Sequence, residues 1–221
     1  SFLFGSELKA LGKHPSWNGK VDRDALAQFV RYGYVPAPRS IWRGFLKLVP
    51  GSFLTIPINS SVGVLPEPMQ YWRVQDMANK TPNADENLDE RATIDELDQK
   101  LRLTIEDQMT ADVPLGAFLS GGVDSSTVVA VMQALSPKPV NTYTIGFSET
   151  DYNEAEYAKA VATHLGTSHT ELYLSSADAM DVIPRLAQMY DEPFGDVSQI
   201  PTHLVAALAR KHVKVSLSGD E

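Results

Sequence analysis

Cysteine is absent from all 221 residues. That removes a disulfide framework, a thiolate metal site and a cysteine nucleophile within these residues, and it fits a reducing compartment such as the cytoplasm. No stretch approaches the ~18 consecutive apolar residues that a membrane-crossing helix needs, so no membrane partner is expected. The opening Ser1-Phe2-Leu3-Phe4-Gly5-Ser6-Glu7 has neither the basic start nor the long apolar core of a secretory signal. It also lacks an initiator Met and begins inside an apolar run, which is the expectation for a piece of a longer chain. Glycine, at 14 residues, is too scarce for a collagen-like repeat, and 43% hydrophobic residues are too many for a disordered chain.

The net charge of −9 argues against general nucleic-acid affinity. Its distribution is uneven: residues 1–75 carry +5 and residues 76–221 carry −14. The change of sign predicts two units, 1–75 and 93–221, joined over 76–92 by a polar linker without periodicity. In the first unit, residues 24–32 predict a short helix, with Asp22 or Asp24 near its start and Gly33 closing it. Strand-like pieces follow at 53–56 and 70–73. The first unit therefore reads as α+β, without a visible catalytic cluster.

The second unit is more regular. Thr93-Ile94-Asp95-Glu96 fits a capping box, and Ile94, Leu97, Leu101, Ile105 and Met109 recur at helical spacing. Strands are expected at 115–119, 140–147, 169–174 and 213–217, and helices from about 123 to 135, 153 to 165, 177 to 190 (with Pro184 as a kink) and 200 to 211. Alternation of this kind predicts an α/β fold, a parallel sheet with helices on both faces. Ligands of such sheets bind beyond the carboxyl ends of the strands.

The strand at 115–119 runs directly into Ser120-Gly121-Gly122-Val123-Asp124-Ser125-Ser126, and a helix follows. Backbone N–H groups and the helix dipole favour an anion there, the paired glycines let the backbone curl around phosphate oxygens, and three hydroxyls add donors. Asp124 is acceptor-only when ionised, so it suits Mg²⁺ bridging to a polyphosphate rather than the phosphate itself. A kinase-type loop would carry a Lys for the γ-phosphate, and this one has none. Such a loop suits attack at the α-phosphate with pyrophosphate leaving. The competing reading is a glycine-rich turn with helix-capping serines; the strand before and helix after it favour the anion cradle.

Residues 120–126 resemble the signature of the N-type ATP pyrophosphatases (PP-loop enzymes). Together with Ala111-Asp112-Val113-Pro114-Leu115-Gly116-Ala117-Phe118-Leu119 ahead of them, they resemble the glutamine-hydrolysing asparagine synthetases. Phe4-Gly5-Ser6-Glu7-Leu8-Lys9-Ala10-Leu11, Gly33-Tyr34-Val35-Pro36-Ala37-Pro38 and Tyr71-Trp72 are similar to the closing part of that family's glutaminase domain. Tyr152-Asn153-Glu154-Ala155-Glu156-Tyr157-Ala158, His164-Leu165-Gly166-Thr167 and Asp191-Glu192-Pro193-Phe194 are similar to its synthetase domain. The resemblance implies a ligase that adenylates aspartate with ATP, releases pyrophosphate, and amidates the β-aspartyl-AMP with ammonia from glutamine. It implies ATP and Mg²⁺ as cofactors, aspartate or a related carboxylate as acceptor, and a cytoplasmic enzyme compatible with a homodimer. Carried over by position, Ser120, Gly121, Gly122, Asp124, Ser125 and Ser126 would hold pyrophosphate, with Asp124 on the metal. Phe118, Leu119 and Ile145 would line the adenosine site, Ser218 and Gly219 would contact the nucleotide by backbone, Asp220 would be catalytic at the intermediate, and Asp196 would lie near the acyl substrate.

Two departures bear on activity. The family's glutaminase nucleophile is an N-terminal cysteine, which these residues lack, and its S-G-[DE]-G-x-D-E pattern is matched only as Ser218-Gly219-Asp220 followed by Glu221. The expectation for the chain alone is no glutamine hydrolysis, weak ATP binding and slow or no turnover. Alternatives are the same machinery acting on another acceptor in a polysaccharide or β-lactam pathway, a different pyrophosphatase-loop enzyme such as a tRNA thiolase or NAD synthetase, and a non-catalytic interaction fragment. His164, His169 and Glu171 lack ligand spacing, and the histidines read as ordinary surface residues. Glu154 and Glu156 read as dipole-favourable charges, and the loop serines lack the G-x-S-x-G setting of a hydrolase nucleophile.

Overall fold

A computed structural model describes residues 2–61, 63–80, 89–147 and 154–219. The chain divides into two compact units, residues 1–86 with 184–197, and residues 87–183 with 198–221.

In the first unit, α1 (Leu8–Leu11) precedes α2 (Arg23–Tyr32). Asp22 caps α2 by accepting from the N–H groups of Asp24 and Ala25, and Gly33 ends it in the left-handed conformation at φ 79°. Both ends follow from the sequence. The small core gathers Ala25, Val35 and Ile41, with Phe29 and Trp42 packed against it, and Trp17 lies against Trp42 and Phe45. The strand-like pieces shrink to a two-residue antiparallel pair, β1 (Ser52–Phe53) with β2 (Met69–Gln70). Gly51 sits so close to Trp72 that a Cβ would lie 2.3 Å from the Trp72 carbonyl oxygen. A further helix, α3 (Val74–Lys80), begins the segment that composition suggested as linker.

Residues 184–197 belong to this unit through polar stitches that span long stretches of sequence. The Glu192 carboxylate accepts from the Ile41 N–H and pairs with the Lys47 ammonium at 2.6 Å, while Lys47 also donates to the Val35 carbonyl. Asp191 accepts from the Leu8 N–H at 2.6 Å and the Lys9 N–H at 3.2 Å. The Gly195 N–H donates to the Gly33 carbonyl.

The second unit opens with α4 (Glu90–Met109), four residues earlier than the Thr93 capping box suggests. Asp89 takes the cap, its carboxylate accepting from Arg91 and Ala92, and Thr93 instead donates its hydroxyl to the Asp89 carbonyl. A carboxylate at this position outcompetes the hydroxyl because it also complements the helix dipole. The chain then alternates through β3 (Leu115–Phe118), α5 (Val123–Leu135), β4 (Asn141–Phe147), α6 (Ala155–Leu165), β5 (Ser168–Leu174), α7 (Ser176–Met189), α8 (Gln199–Ala209) and β6 (Val215–Leu217). Pro184 lies inside α7, at the point where the chain passes to the first unit.

The four strands are all parallel, in the order β5-β4-β3-β6. On one face, Ala117 and Leu119 pack with Val129 and Met132 of α5, Ala158 and Ala162 of α6, and Ile105 of α4. On the other, Tyr143 packs with Leu208 and Ala209 of α8 and Val213, joined by Phe118 and Leu172. Helices therefore cover both faces, as a sheet of hydrophobic strands requires. The opposite assignments of Phe118 and Leu119 follow from the two-residue period of a strand.

A polar cluster links β4, β5 and α6. The Thr142 hydroxyl contacts the Thr167 hydroxyl at 3.0 Å and His169 Nδ1 at 2.9 Å. Glu171 pairs with Lys159 of α6 at 3.2 Å and accepts from the Tyr173 hydroxyl. His169 is not the surface residue its sequence setting suggests: its side chain is only 9% exposed, held between strands by Thr142. Burial pushes its imidazole below the ordinary value, against the upward pull of Glu171 and with a smaller downward push from Lys159. The folded protein thus holds His169 neutral at a pH where the unfolded chain, titrating near 6.5, binds a proton. Stability from this group is complete above that ordinary value and is lost as pH falls from it toward the lower folded value. Thermal unfolding between pH 8 and 5 should show this loss in the wild type and a shallower one in His169→Gln.

Candidate functional site

β3 is the strand from which connections run to β4 and β5 on one side while β6 returns on the other, so the crevice at its carboxyl end is a topological switch point. Residues 120–126 occupy it. Their curl depends on Gly121, at φ 83°, where a Cβ would lie 2.7 Å from the Ala158 N and 2.8 Å from the Tyr157 Cβ. Only glycine fits a left-handed backbone this close to α6.

α5 then begins at Val123 behind Gly122, with no side-chain cap. The helix start therefore offers its first N–H groups and positive dipole end to an external acceptor. Gly219, just beyond β6, comes against the same helix start: a Cβ there would lie 2.6 Å from the Ser125 N and 2.9 Å from the Asp124 carbonyl carbon. The structure so brings residues 120–126, Gly219 and the ends of β3 and β4 together within one unit.

The three loop hydroxyls have different settings. Ser120 is exposed. Ser125 is 8% exposed, and its hydroxyl is held inside the loop, 2.9 Å from the Ser120 hydroxyl, 3.2 Å from the Ser120 N–H it accepts from and 3.4 Å from the Gly122 carbonyl. The Ser126 oxygen is buried without a hydrogen-bond partner among the described residues. It stands among the residues lining a groove of about 560 Å³ between α5 and α6. Asp124 is exposed in the first turn of α5. Among the described residues no group of three or more His, Asp or Glu side chains could hold a metal.

Phe118 is half-buried beside α8, and Ile145 is half-buried on β4 opposite Leu172. Leu119 is 1% exposed, with its side chain in the core; its N–H bonds the Tyr143 carbonyl at 3.0 Å and its carbonyl accepts from the Thr144 hydroxyl. Ser218 is exposed at the end of β6. Asp196 falls in the 184–197 segment of the first unit, and Asp220 lies outside the described residues. Thr144 is the residue at this site that the sequence reading passes over. The signal is a threonine in the buried middle of a strand, where a buried hydroxyl needs a partner.

Comparison with known proteins agrees with this architecture. Residues 96–220 match the asparagine synthase family, and residues 1–72 match the glutamine amidotransferase domain family. The chain belongs to the asparagine synthase family. It is 36% identical to a candidate glutamine-hydrolysing asparagine synthetase of Methanocaldococcus jannaschii over 99% of its own length and 41% of that protein. Against glutamine-hydrolysing asparagine synthetase 1 of Bacillus subtilis it is 31% identical over 98% of its length and 32% of the relative. A candidate asparagine synthetase of Mycobacterium tuberculosis is 32% identical over 91% of the chain and 30% of its own length. The chain thus spans about a third to two-fifths of the curated relatives it matches. No helix among the described residues is long and apolar enough to cross a membrane.

Proposed function

We propose that these residues form part of an ATP-dependent, amide-forming ligase of the glutamine-hydrolysing asparagine synthetase type. In this reading residues 1–75 are the closing part of a glutaminase domain, residues 76–92 a linker, and residues 93–221 the opening part of the synthetase domain. The observation that carries it is the uncapped start of α5 behind the left-handed Gly121, at the switch point of a parallel sheet. That is an anion cradle with no Lys for a γ-phosphate, and it suits retention of pyrophosphate while the α-phosphate reacts.

The aspartate side-chain carboxylate oxygen attacks the α-phosphorus, the bond from that phosphorus to the bridging oxygen breaks, and pyrophosphate leaves. Ammonia then attacks the acyl carbon of β-aspartyl-AMP, loses a proton, and expels AMP to give the amide. The N–H groups at the start of α5 and the hydroxyls of Ser120 and Ser126 hold pyrophosphate, with Gly121 and Gly122 shaping the curl. Ser125 braces the loop from inside, Phe118, Leu119 and Ile145 border the adenosine, and Ser218 and Gly219 meet the nucleotide through their backbone. The family resemblance would further give Asp196 a role near the acyl substrate and Asp220 one at the intermediate. A single exposed carboxylate fits Mg²⁺, which keeps most of its shell as water and substrate phosphate, so Asp124 would hold the ion while the ion neutralises pyrophosphate charge.

The test is aspartate-dependent exchange of labelled pyrophosphate into ATP by the full-length protein carrying these residues. Exchange is expected with aspartate and Mg²⁺, and Asp124→Asn should weaken the Mg²⁺ dependence by about tenfold, the loss of one charge-assisted contact. Exchange that ignores aspartate, or a variant with an unchanged Mg²⁺ requirement, would overturn the assignment.

A further inference from the structure

We infer that Thr144 is a positioning residue that sets the bend from β3 into the 120–126 loop, and with it the direction in which the loop presents its amides. The inference rests on the nucleotide reading above and adds a residue that touches no ligand.

β3 and β4 run in parallel register to the pair Phe118 and Tyr143. Leu119 keeps the ladder for one further bond, its N–H donating to the Tyr143 carbonyl at 3.0 Å. Its carbonyl then accepts from the Thr144 side-chain hydroxyl. One residue on, the Ser120 N–H donates to the Ser125 hydroxyl at 3.2 Å. Two hydroxyls thus meet successive backbone groups where the chain leaves the sheet, one reaching from β4 and one from α5. The Ser125 hydroxyl could reorganise with its exposed neighbour Ser120. Thr144 has no such freedom. It is 4% exposed, and its β-branched side chain is stiff at χ1. It therefore fixes where the Leu119 carbonyl points, and the next peptide leads into Ser120 and Gly121. A buried carbonyl that loses its partner turns to find another, and a turn of that peptide re-aims the amides beyond it.

Thr142 provides the control. It lies on the same strand, is fully buried and also bonds through its hydroxyl, but to Thr167 and His169 rather than to the loop. Amide hydrogen exchange of residues 120–125, and calorimetric titration with inorganic pyrophosphate and Mg²⁺ at pH 8, are measured on the full-length protein and on Thr144→Val, Thr144→Ser, Thr144→Ala and Thr142→Val. Thr144→Val should speed exchange of the loop amides and weaken pyrophosphate binding by about tenfold, the scale of a misplaced binding group. Thr142→Val should lower the melting temperature comparably but leave both readouts within about twofold of the wild type, and Thr144→Ser should restore them. Should Thr144→Val not fold, the contrast between Ser and Ala at the same position decides the matter. Loop exchange and affinity that are unchanged in Thr144→Val, or that fall equally in Thr142→Val, overturn the inference. Wild-type protein that binds no pyrophosphate sinks the nucleotide reading instead, and loop exchange alone then decides whether Thr144 holds the bend.

Discussion

Glu192→Ala is expected to destabilise the first unit by about 2–3 kcal/mol, a fall of roughly 10 °C in its thermal transition. One carboxylate serves two groups: it accepts from the Ile41 N–H with one oxygen and, with the other, holds at 2.6 Å the Lys47 ammonium, which also donates to the Val35 carbonyl. Ile41 is a core residue, so its orphaned N–H would be poorly hydrated. The Lys47 side chain is 33% exposed, so water screens part of the lost ion pair, and the expected effect sits below that of a fully buried pair. Glu192→Gln should recover about half, because the amide oxygen still accepts from Ile41 while the charge is gone. The double variant Glu192→Ala with Lys47→Met should be less than additive, since no ammonium is left stranded. Calorimetry can assign the loss, which belongs to the first unit's transition and should leave the second's in place. Equal destabilisation of both, or a shift under about 2 °C, would contradict this account.

Gly121→Ala should cost the second unit about 3 kcal/mol or more and abolish the pyrophosphate binding proposed for its loop. The left-handed backbone alone accounts for roughly 1–2 kcal/mol once a Cβ is present. The rest is steric: the new methyl would lie 2.7 Å from a backbone nitrogen and 2.9 Å from a carbonyl carbon of α6, and neither can swing aside as a side-chain tip could. Either α6 retreats from the sheet, opening the packing around Ala158, or the loop flattens and loses its curl. Gly122→Ala is the matched comparison, since its φ is −70° and its Cβ would meet only the Ser120 hydroxyl at 3.4 Å. That variant should lose less than about 1 kcal/mol of stability. Denaturant unfolding separates the two, and similar losses for both would refute the packing explanation.

Much of the second unit was legible because its signals are local. A buried strand, two glycines and a helix with its dipole end exposed are contiguous in residues 115–135, and Gly166 announces the end of α6 by the left-handed φ it adopts, as Gly33 does for α2 in the first unit. What escaped depends on partners distant in sequence. The Glu192 bond to Ile41 spans 151 residues and the Asp191 bond to Leu8 spans 183, and no periodicity encodes either. Thr144 reaches its partner across 25 residues, and within its strand it looks like any β-branched residue. The start of α4 was missed for a different reason. Two capping signals lie four residues apart, and sequence alone does not rank Asp89 above Thr93.

The return of residues 184–197 to the first unit has a consequence for the order in which the protein is made. A ribosome completes residues 1–86 long before it reaches Glu192, so the emerging first unit waits without the carboxylate that meets its Ile41 N–H and Lys47 ammonium until residues 87–183 have been synthesised. A stop codon just before residue 184 would therefore leave a first unit without these bonds, although residues 1–86 are all present.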